Sequence, residues 1–123
     1  MLILATCIGF SSCSEEDEIL SNPLKGTLWS VKDGVALFSK EDIIRYIEFI
    51  DDKNVNVWDS YNKDVYRGTY SIEGNKVTFH NLYDSYWYWY YVNGTFSSNS
   101  LTLAHSYDKG DTKNLYYITY LKK

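Results

Sequence analysis

The sequence predicts an all-β protein, a small eight-stranded antiparallel up-and-down barrel, and three observations lead to this fold. Aromatic residues make up 18% of the 123-residue chain, with 13 Tyr and 4 Trp, and such side chains favour the half-buried surface of a pleated sheet. Short apolar runs alternate with polar residues and are separated by Gly, Asn, Asp and Ser. Helical periodicity is nearly absent. A chain of this length forms one domain, and closing its sheet into a barrel removes the exposed edges.

Eight runs have the composition and alternation of strands. They cover residues 26–32, 43–50, 55–58, 65–72, 76–80, 86–96, 101–104 and 115–121. Asp33-Gly34 is expected to end the first strand, and residues 35–42 form either one helical turn or a long loop. Asn93-Gly94 has the residue types of a two-residue hairpin turn. Because residues 97–100 already have turn chemistry, we instead predict a bulge at Asn93-Gly94 inside a long sixth strand.

The predicted sixth strand is the most aromatic stretch of the chain. Alternation divides its rings between two faces, with Trp87, Trp89 and Tyr91 on one and Tyr86, Tyr88, Tyr90 and Val92 on the other. One row must fill the core, and the other is a candidate surface for binding a glycan or a peptide. The alternative is that this second row packs against neighbouring rings, such as Trp58, Tyr66 and Tyr117.

Arg45 is a further candidate for ligand binding, because alternation in the second strand places it on the inner face with Ile47 and Phe49. A buried guanidinium needs a partner. One interpretation is that Arg45 binds the anionic head group of a small ligand. The other, which we favour, is that Arg45 lies near the barrel mouth and extends its charged end to water.

The sequence offers no catalytic motif. It has neither a glycine-rich phosphate loop nor a Gly-x-Ser-x-Gly turn. The two histidines, His80 and His105, each end a strand and lack the spacing of a metal-ligand pair. Alternation places His80 outward and His105 inward. We therefore expect no enzymatic activity, no metal and no cofactor.

The charge of the chain is unevenly distributed. Four of its sixteen acidic residues stand together at positions 15–18, and the other twelve balance twelve Lys and Arg, so that the body is neutral. A neutral body lacks the basic surface that nucleic acid requires. It also lacks the polybasic patch that binds anionic lipids.

The N-terminal residues have the pattern of a targeting signal. Residues 1–12 form an apolar run that ends in small residues and is too short to span a membrane. The motif Phe10-Ser11-Ser12-Cys13 resembles the lipobox of bacterial lipoproteins, in which the signal is cut before the Cys and the Cys is lipidated. The acidic run after it resembles the surface-export signal of Bacteroidetes lipoproteins. Cys7 would leave with the signal and Cys13 would carry lipid, which leaves no cysteine for a disulfide or a nucleophile.

Short motifs in the body point to the same group of proteins. They are Gly26-x-x-Trp29, Tyr46-Ile47-Glu48-Phe49 before an acidic turn, the run at 68–72 before Gly74-Asn75, and Leu101-Thr102-Leu103 after a Ser/Asn turn. In this order they resemble the small lipocalin-like lipoproteins of Bacteroidetes. The resemblance implies a signal peptide at 1–12, a lipidated tether at 13–25 and a lipocalin-like barrel at 26–123. It also implies an outer-membrane lipoprotein of a Gram-negative cell, exposed at the surface, in a group whose members mostly lack a known activity.

These observations together predict a non-enzymatic surface lipoprotein that acts as an accessory or binding module. An eight-stranded barrel holds either packed side chains or one small ligand, and the many rings here favour a filled interior. The leading expectation is recognition of a glycan or a peptide through the exposed aromatic row. The alternatives are a structural or inhibitory envelope protein that docks on a partner protein, and a carrier of a small apolar ligand.

Overall fold

A computed structural model describes residues 22–123 of the chain. The described residues form nine β-strands and no helix. The strands are β1 Leu28–Val35, β2 Asp42–Phe49, β3 Asn54–Asp59, β4 Tyr66–Glu73, β5 Lys76–His80, β6 Tyr83–Asp84, β7 Trp89–Phe96, β8 Ser100–Ser106 and β9 Tyr116–Lys122. The predicted signal peptide, Cys13 and most of the predicted tether lie outside the described residues.

The sheet closes into an antiparallel barrel of eight strands, as the sequence predicts. Each long strand pairs with the next one along the chain, β9 returns to pair with β1, and β5 pairs directly with β7. The two-residue strand β6 adds to the free edge of β7 outside this ring. The result is an up-and-down barrel of lipocalin-like architecture, with all neighbours antiparallel.

Large side chains from every wall fill the interior. Alternation is clearest in β2, where Ile43, Arg45, Ile47 and Phe49 are buried and the residues between them are not. Leu24, expected in the tether, is also fully buried in the core, so the barrel body begins earlier than residue 26. The other buried core members include Trp29, Val55, Val57, Tyr70, Val77, Phe79, Leu101, Leu103 and Tyr120.

The barrel has two ends, which we name from the path of the chain. At the proximal end, where the described chain begins, residues 22–27 contact the β2–β3 turn, and the β4–β5 and β7–β8 turns lie at the same end. Asn22 Nδ2 donates to Tyr70 Oη at 2.8 Å, and Gly26 N donates to Phe49 O at 2.7 Å. The distal end carries the segments 36–41, 60–65, 81–88 and 107–115.

The first half of the barrel departs from the prediction near Gly34. Asp33-Gly34 does not end the first strand, because β1 continues to Val35 across a register shift between Lys32 and Val35. The bulge lets the strand absorb an extra residue without breaking its pairing with β2. Residues 36–41 then form a tight loop rather than a helix, closed by Ala36 N donating to Glu41 O at 2.7 Å.

The aromatic strand is shorter than predicted but contains a bulge close to the predicted position. It begins at Trp89, and residues 85–88 form a hairpin loop after Asp84, so the prediction of a strand from residue 86 is wrong. The register with β8 shifts between Tyr91 and Asn93, so the strand continues through Asn93-Gly94 without a turn and its bulge lies at Val92, one residue before the predicted position. Gly94 is required in this strand, because a Cβ atom would lie 2.7 Å from both Leu103 Cδ2 and Thr102 O.

Candidate functional site: the distal end of the barrel

Exposed aromatic side chains concentrate at the distal end. Tyr86 and Tyr88 of the 85–88 loop are 42% and 68% exposed, and Tyr61 of the β3–β4 loop is 46% exposed. Leu37 and Phe38, at the tip of the β1–β2 loop, are 74% and 91% exposed. Exposed apolar side chains that lie together on a protein surface often mark an interaction site.

The 85–88 loop is held in shape by the carboxylate of Asp84. Asp84 Oδ1 accepts from Tyr86 N and from Trp87 N, both at 3.0 Å, and Asp84 O accepts from Tyr88 N at 2.8 Å. An Asp side chain that bonds backbone N–H groups two and three residues ahead initiates a turn. This local capture explains why the aromatic run turns here instead of extending into the strand. Burial is the main cause that raises the pKa of Asp84.

A second carboxylate joins two of the distal loops. Asp59 Oδ1 accepts from Tyr61 N at 2.7 Å and from Asn62 N at 2.9 Å, which shapes the β3–β4 loop. Its other oxygen, Asp59 Oδ2, accepts from Trp87 Nε1 at 2.8 Å. One buried side chain therefore fixes the Tyr61 loop and the Tyr86 loop relative to each other.

The rings of these two loops form one cluster. The Tyr86 and Trp87 centroids are 4.8 Å apart with the rings edge to face, and Tyr61 lies 5.9 Å from Tyr86 and 6.3 Å from Trp87. Such separations are those at which aromatic pairs stabilise each other. We call the exposed rings Tyr61, Tyr86 and Tyr88 the tyrosine patch.

Arg45 lies directly beneath the tyrosine patch. Its guanidinium carbon is 4.9 Å from the Trp87 ring centroid and 4.4 Å from that of Trp89, and its Nε donates to Asp33 Oδ2. Arg45 is 5% exposed, so the prediction that it extends to water is wrong. Its inward position was predicted correctly. The β1 bulge brings Asp33 into reach, and the ion pair and the two indole faces together satisfy the buried charge.

His105 continues the stack below Trp89 and is fully buried, as its predicted inward position requires. The two ring centroids are 4.3 Å apart, and His105 Nδ1 lies 3.3 Å from Tyr116 O. Burial lowers the pKa of His105 to about 4 against the opposing effect of the Tyr116 carbonyl. His105 is therefore neutral near pH 7, with the Nδ1 proton donated to that carbonyl. His80 is exposed on the outer surface, as predicted.

Three buried polar atoms below Arg45 have no hydrogen-bond partner among residues 22–123. They are Trp89 Nε1, His105 Nε2 and Tyr120 Oη. Tyr120 lies near Tyr91, and burial raises the pKa values of both phenols, so both remain protonated at physiological pH. Each of these atoms is a polar group inside the barrel that lacks a hydrogen bond within the described part of the chain, and such groups lower the stability of the fold.

The structure divides the predicted binding residues between two roles. Trp89 and Tyr91 are core residues and Trp87 is half-buried, so the exposed row is formed by Tyr86 and Tyr88. Tyr90 is half-buried against Tyr83, at a centroid distance of 4.4 Å. The packing alternative named Trp58, Tyr66 and Tyr117. Trp58 stacks on Tyr46, Tyr117 is 67% exposed, and Tyr66 is partly buried against the core.

Sequence reasoning missed several residues of this site. Tyr61, Asp59 and Asp84 lie at strand ends where alternation gives no hint of their contacts, although Asp followed by Ser and Tyr occurs at both 59–61 and 84–86. That repeated tripeptide was the available signal for two capped aromatic loops. Leu37 and Phe38 were visible only as part of an ambiguous segment.

Comparisons of the chain with protein-family models, with curated proteins and with solved structures each find no match. In the part of the chain that the structure describes, no helix is long and apolar enough to cross a membrane. Nor does that part bring together three or more His, Cys, Asp or Glu side chains that could hold a metal ion. The functional argument therefore rests on the geometry of the distal end.

Proposed function

We propose that this chain is a non-enzymatic surface lipoprotein whose distal end binds a glycan or a peptide through the tyrosine patch. The observation that carries the proposal is the pair of capped loops. Asp59 and Asp84 hold Tyr61 and Tyr86 in fixed positions while leaving much of each ring in water. A surface that is rigid before binding loses less entropy when it binds.

Tyrosine suits this role because its ring is flat, amphipathic and limited to two side-chain torsions. Its face packs on the apolar face of a sugar ring or on a side chain of a peptide, and its hydroxyl forms hydrogen bonds. Trp87 supports the patch from below through its bond to Asp59. The ligand would thus contact tyrosines, with the indoles as their support.

The direction of the chain also supports binding at this end. The described chain enters the barrel at the proximal end, so a lipid anchor at Cys13 would approach from that side. An eight-residue strand is about 26 Å long, so the tyrosine patch would face away from the membrane. A surface that meets extracellular ligands is best placed there.

The buried charged groups of the distal end already have partners within the protein, which supports binding rather than catalysis. Both buried carboxylates of the distal end, Asp59 and Asp84, already accept hydrogen bonds from backbone N–H groups. Arg45 is held by Asp33 and by two indole rings. A general acid or base needs access to substrate, and none of these three side chains is exposed.

A partner protein is the second candidate ligand, favoured by Leu37 and Phe38. These side chains project from the same end as the tyrosine patch and are more exposed than any of its rings. Aromatic and apolar anchors of this kind are typical of protein hot spots. The carrier alternative has less support, because core side chains from all walls occupy the barrel interior.

The tyrosine patch can be tested by truncation. The double variant Tyr86→Ala, Tyr88→Ala should weaken binding more than tenfold to any glycan or peptide that the wild type captures from arrays, since hot-spot truncations cost about 2 kcal/mol or more. Tyr117→Ala, which removes an equally exposed ring from the wall of β9, should leave that binding unchanged. Equal effects of both variants would contradict the proposal. A requirement for Phe38 but not for Tyr86 would assign the distal end to a protein partner.

The anchor is tested separately with the full chain expressed in a Gram-negative host. Labelled palmitate should be incorporated into the wild type and into Cys7→Ser, but not into Cys13→Ser, which should move to the soluble fraction. The reason is that only Cys13 would remain after cleavage of residues 1–12. An unlabelled wild-type chain would refute the anchor and leave the tyrosine patch untouched.

A further inference from the structure

The wall of the barrel opens between β5 and β7. These two strands pair over only three residues on each side, 76–78 against 93–95, and among the pairs of neighbouring long strands only β9 with β1, at two residues, is shorter. Beyond this short ladder the β7 backbone bonds elsewhere, with Tyr91 N donating to Leu82 O at 3.0 Å. The bulge at Val92 displaces β7 at the same level. We call this opening the seam.

A pocket of about 430 Å³ occupies the seam. Its floor consists of three buried apolar side chains of the core, Phe79, Leu82 and Tyr91. One rim is the pair of contacting rings Tyr83 and Tyr90, which are tilted by 34° to each other. The opposite rim is formed by residues 109–112 of the β8–β9 loop. Pockets of this size with an apolar floor and a few polar rim groups are typical of small-molecule sites.

The rim of the pocket carries one cation, Lys109, and one carboxylate, Asp111, so its net charge is zero and a preference for an anion depends on which of the two side chains meets the ligand. Lys109 is the cation that lines the pocket, and it makes no salt bridge within the described part of the chain. Asp111 is the carboxylate on the same rim, but it faces its own loop. Asp111 Oδ1 accepts from Lys113 N at 2.8 Å and from Asn114 N at 3.3 Å, and these backbone bonds lower the pKa of Asp111.

We propose that the seam pocket binds a small amphipathic acid, a flat apolar molecule that carries one anionic group. The apolar body would cover Phe79, Leu82 and Tyr91 beside the Tyr83–Tyr90 pair. The acid group would lie at the rim next to Lys109. This site is in the side wall of the barrel, so it neither requires nor excludes ligand binding at the tyrosine patch.

Two fluorescent probes that differ only in charge test the proposal. They are 8-anilinonaphthalene-1-sulfonate and N-phenyl-1-naphthylamine, which has the same ring system without the sulfonate group. Each is titrated into the full chain, and the fluorescence of the probe is measured. Both should bind. Thr78→Trp, which fills the pocket from the exposed face of β5, should weaken both at least tenfold. Thr119→Trp, an equally exposed position on β9 outside the pocket, should weaken neither.

The rim charge is tested on the same probes. Lys109→Gln should weaken the sulfonate about two- to fivefold, as for a partly exposed ion pair, and leave the uncharged probe unchanged. Lys113→Gln, four residues along the same loop and outside the pocket, should change neither. The proposal is overturned if the wild type binds neither probe, or if Thr78→Trp leaves binding of both intact. If Lys109→Gln weakened binding of both probes equally, the pocket would have no preference for an anion. The Lys109→Gln comparison also tests the proposal if Thr78→Trp does not fold.

Discussion

The two ends of the barrel are built from different chemistry. At the proximal end the interior is apolar, with Trp29, Phe49, Leu24 and Leu101 all buried. At the distal end the buried residues include Arg45, Asp59, Asp84 and His105. Burial of an apolar side chain stabilises the fold by itself. Burial of a polar group lowers the stability of the fold unless the group has a hydrogen-bond or ion-pair partner. We therefore expect burial to stabilise the distal end less than the proximal end.

The backbone conformation also indicates that the distal end is the less stable of the two. Proximal turns use glycine where φ is positive, as at Gly26 and Gly74. Among residues 22–123, the four non-glycine residues with positive φ all lie in distal segments, at Lys40, Lys63, Asn81 and Tyr88. A side chain in this conformation costs about 1–2 kcal/mol. Strain of this kind concentrates at functional sites, where the position of a side chain matters more than stability.

The largest expected effect follows from removing the distal cation. Arg45→Met should lower the free energy of unfolding at pH 7 by about 2–3 kcal/mol, because it removes the buried cation from the faces of Trp87 and Trp89 and leaves the half-exposed Asp33 without its partner. Urea denaturation measures the change. Lys32→Met, which breaks the exposed pair with Asp42, should cost no more than about 0.5 kcal/mol. If the two variants were equally stable, the buried pair would not support the distal end.

A smaller effect is expected from acid. The folded chain holds the pKa of His105 at about 4, below the usual 6.5. Between these two pH values, His105 binds a proton in the unfolded chain but not in the folded chain. The stability contributed by neutral His105 is present above pH 6.5 and is lost as the pH falls towards 4. Between pH 7.5 and pH 5 this loss should be about 2 kcal/mol.

The contribution of His105 is isolated by comparing variants. His105→Gln should show a shallower loss of stability than the wild type over this pH range, by that same amount. His80→Gln, which replaces the exposed histidine, should follow the wild-type curve. Parallel curves for wild type and His105→Gln would show that burial does not exclude the proton.

The smallest effect compares one turn from each end. Tyr88→Gly should raise the free energy of unfolding by about 0.5–1 kcal/mol, because glycine adopts its φ of 63° without steric cost and the exposed ring has little packing to lose. Gly74→Ala, at the same φ with open space for a Cβ atom, should lower it by about 1 kcal/mol. Thermal denaturation measures both. A destabilised Tyr88→Gly would mean that the Tyr88 ring packs where the structure shows it exposed.

The core positions could be predicted because they depend on alternation. The inward positions of Arg45, Ile47 and Phe49 follow from a period of two within β2, and the outward position of His80 and the inward position of His105 follow in the same way. The continuation of the strand through Asn93-Gly94 with a bulge instead of a turn was predictable because turn chemistry recurs only a few residues later, although the bulge lies at Val92. The start of the aromatic strand was not, because the turn after Asp84 is made by a side chain that competes with the strand for backbone N–H groups.

The sequence by itself determined an all-β barrel, because strand propensity and alternation act between near neighbours in the chain. Only the tertiary structure decided which aromatic side chains are exposed, since residues 85–88 form a loop after Asp84 and do not continue the alternation of β7. It also brought Asp59 to Trp87, 28 residues away, and Asp33 to Arg45. Contacts between distant segments are fixed by barrel closure, and they made the distal end a rigid aromatic surface above a buried charge.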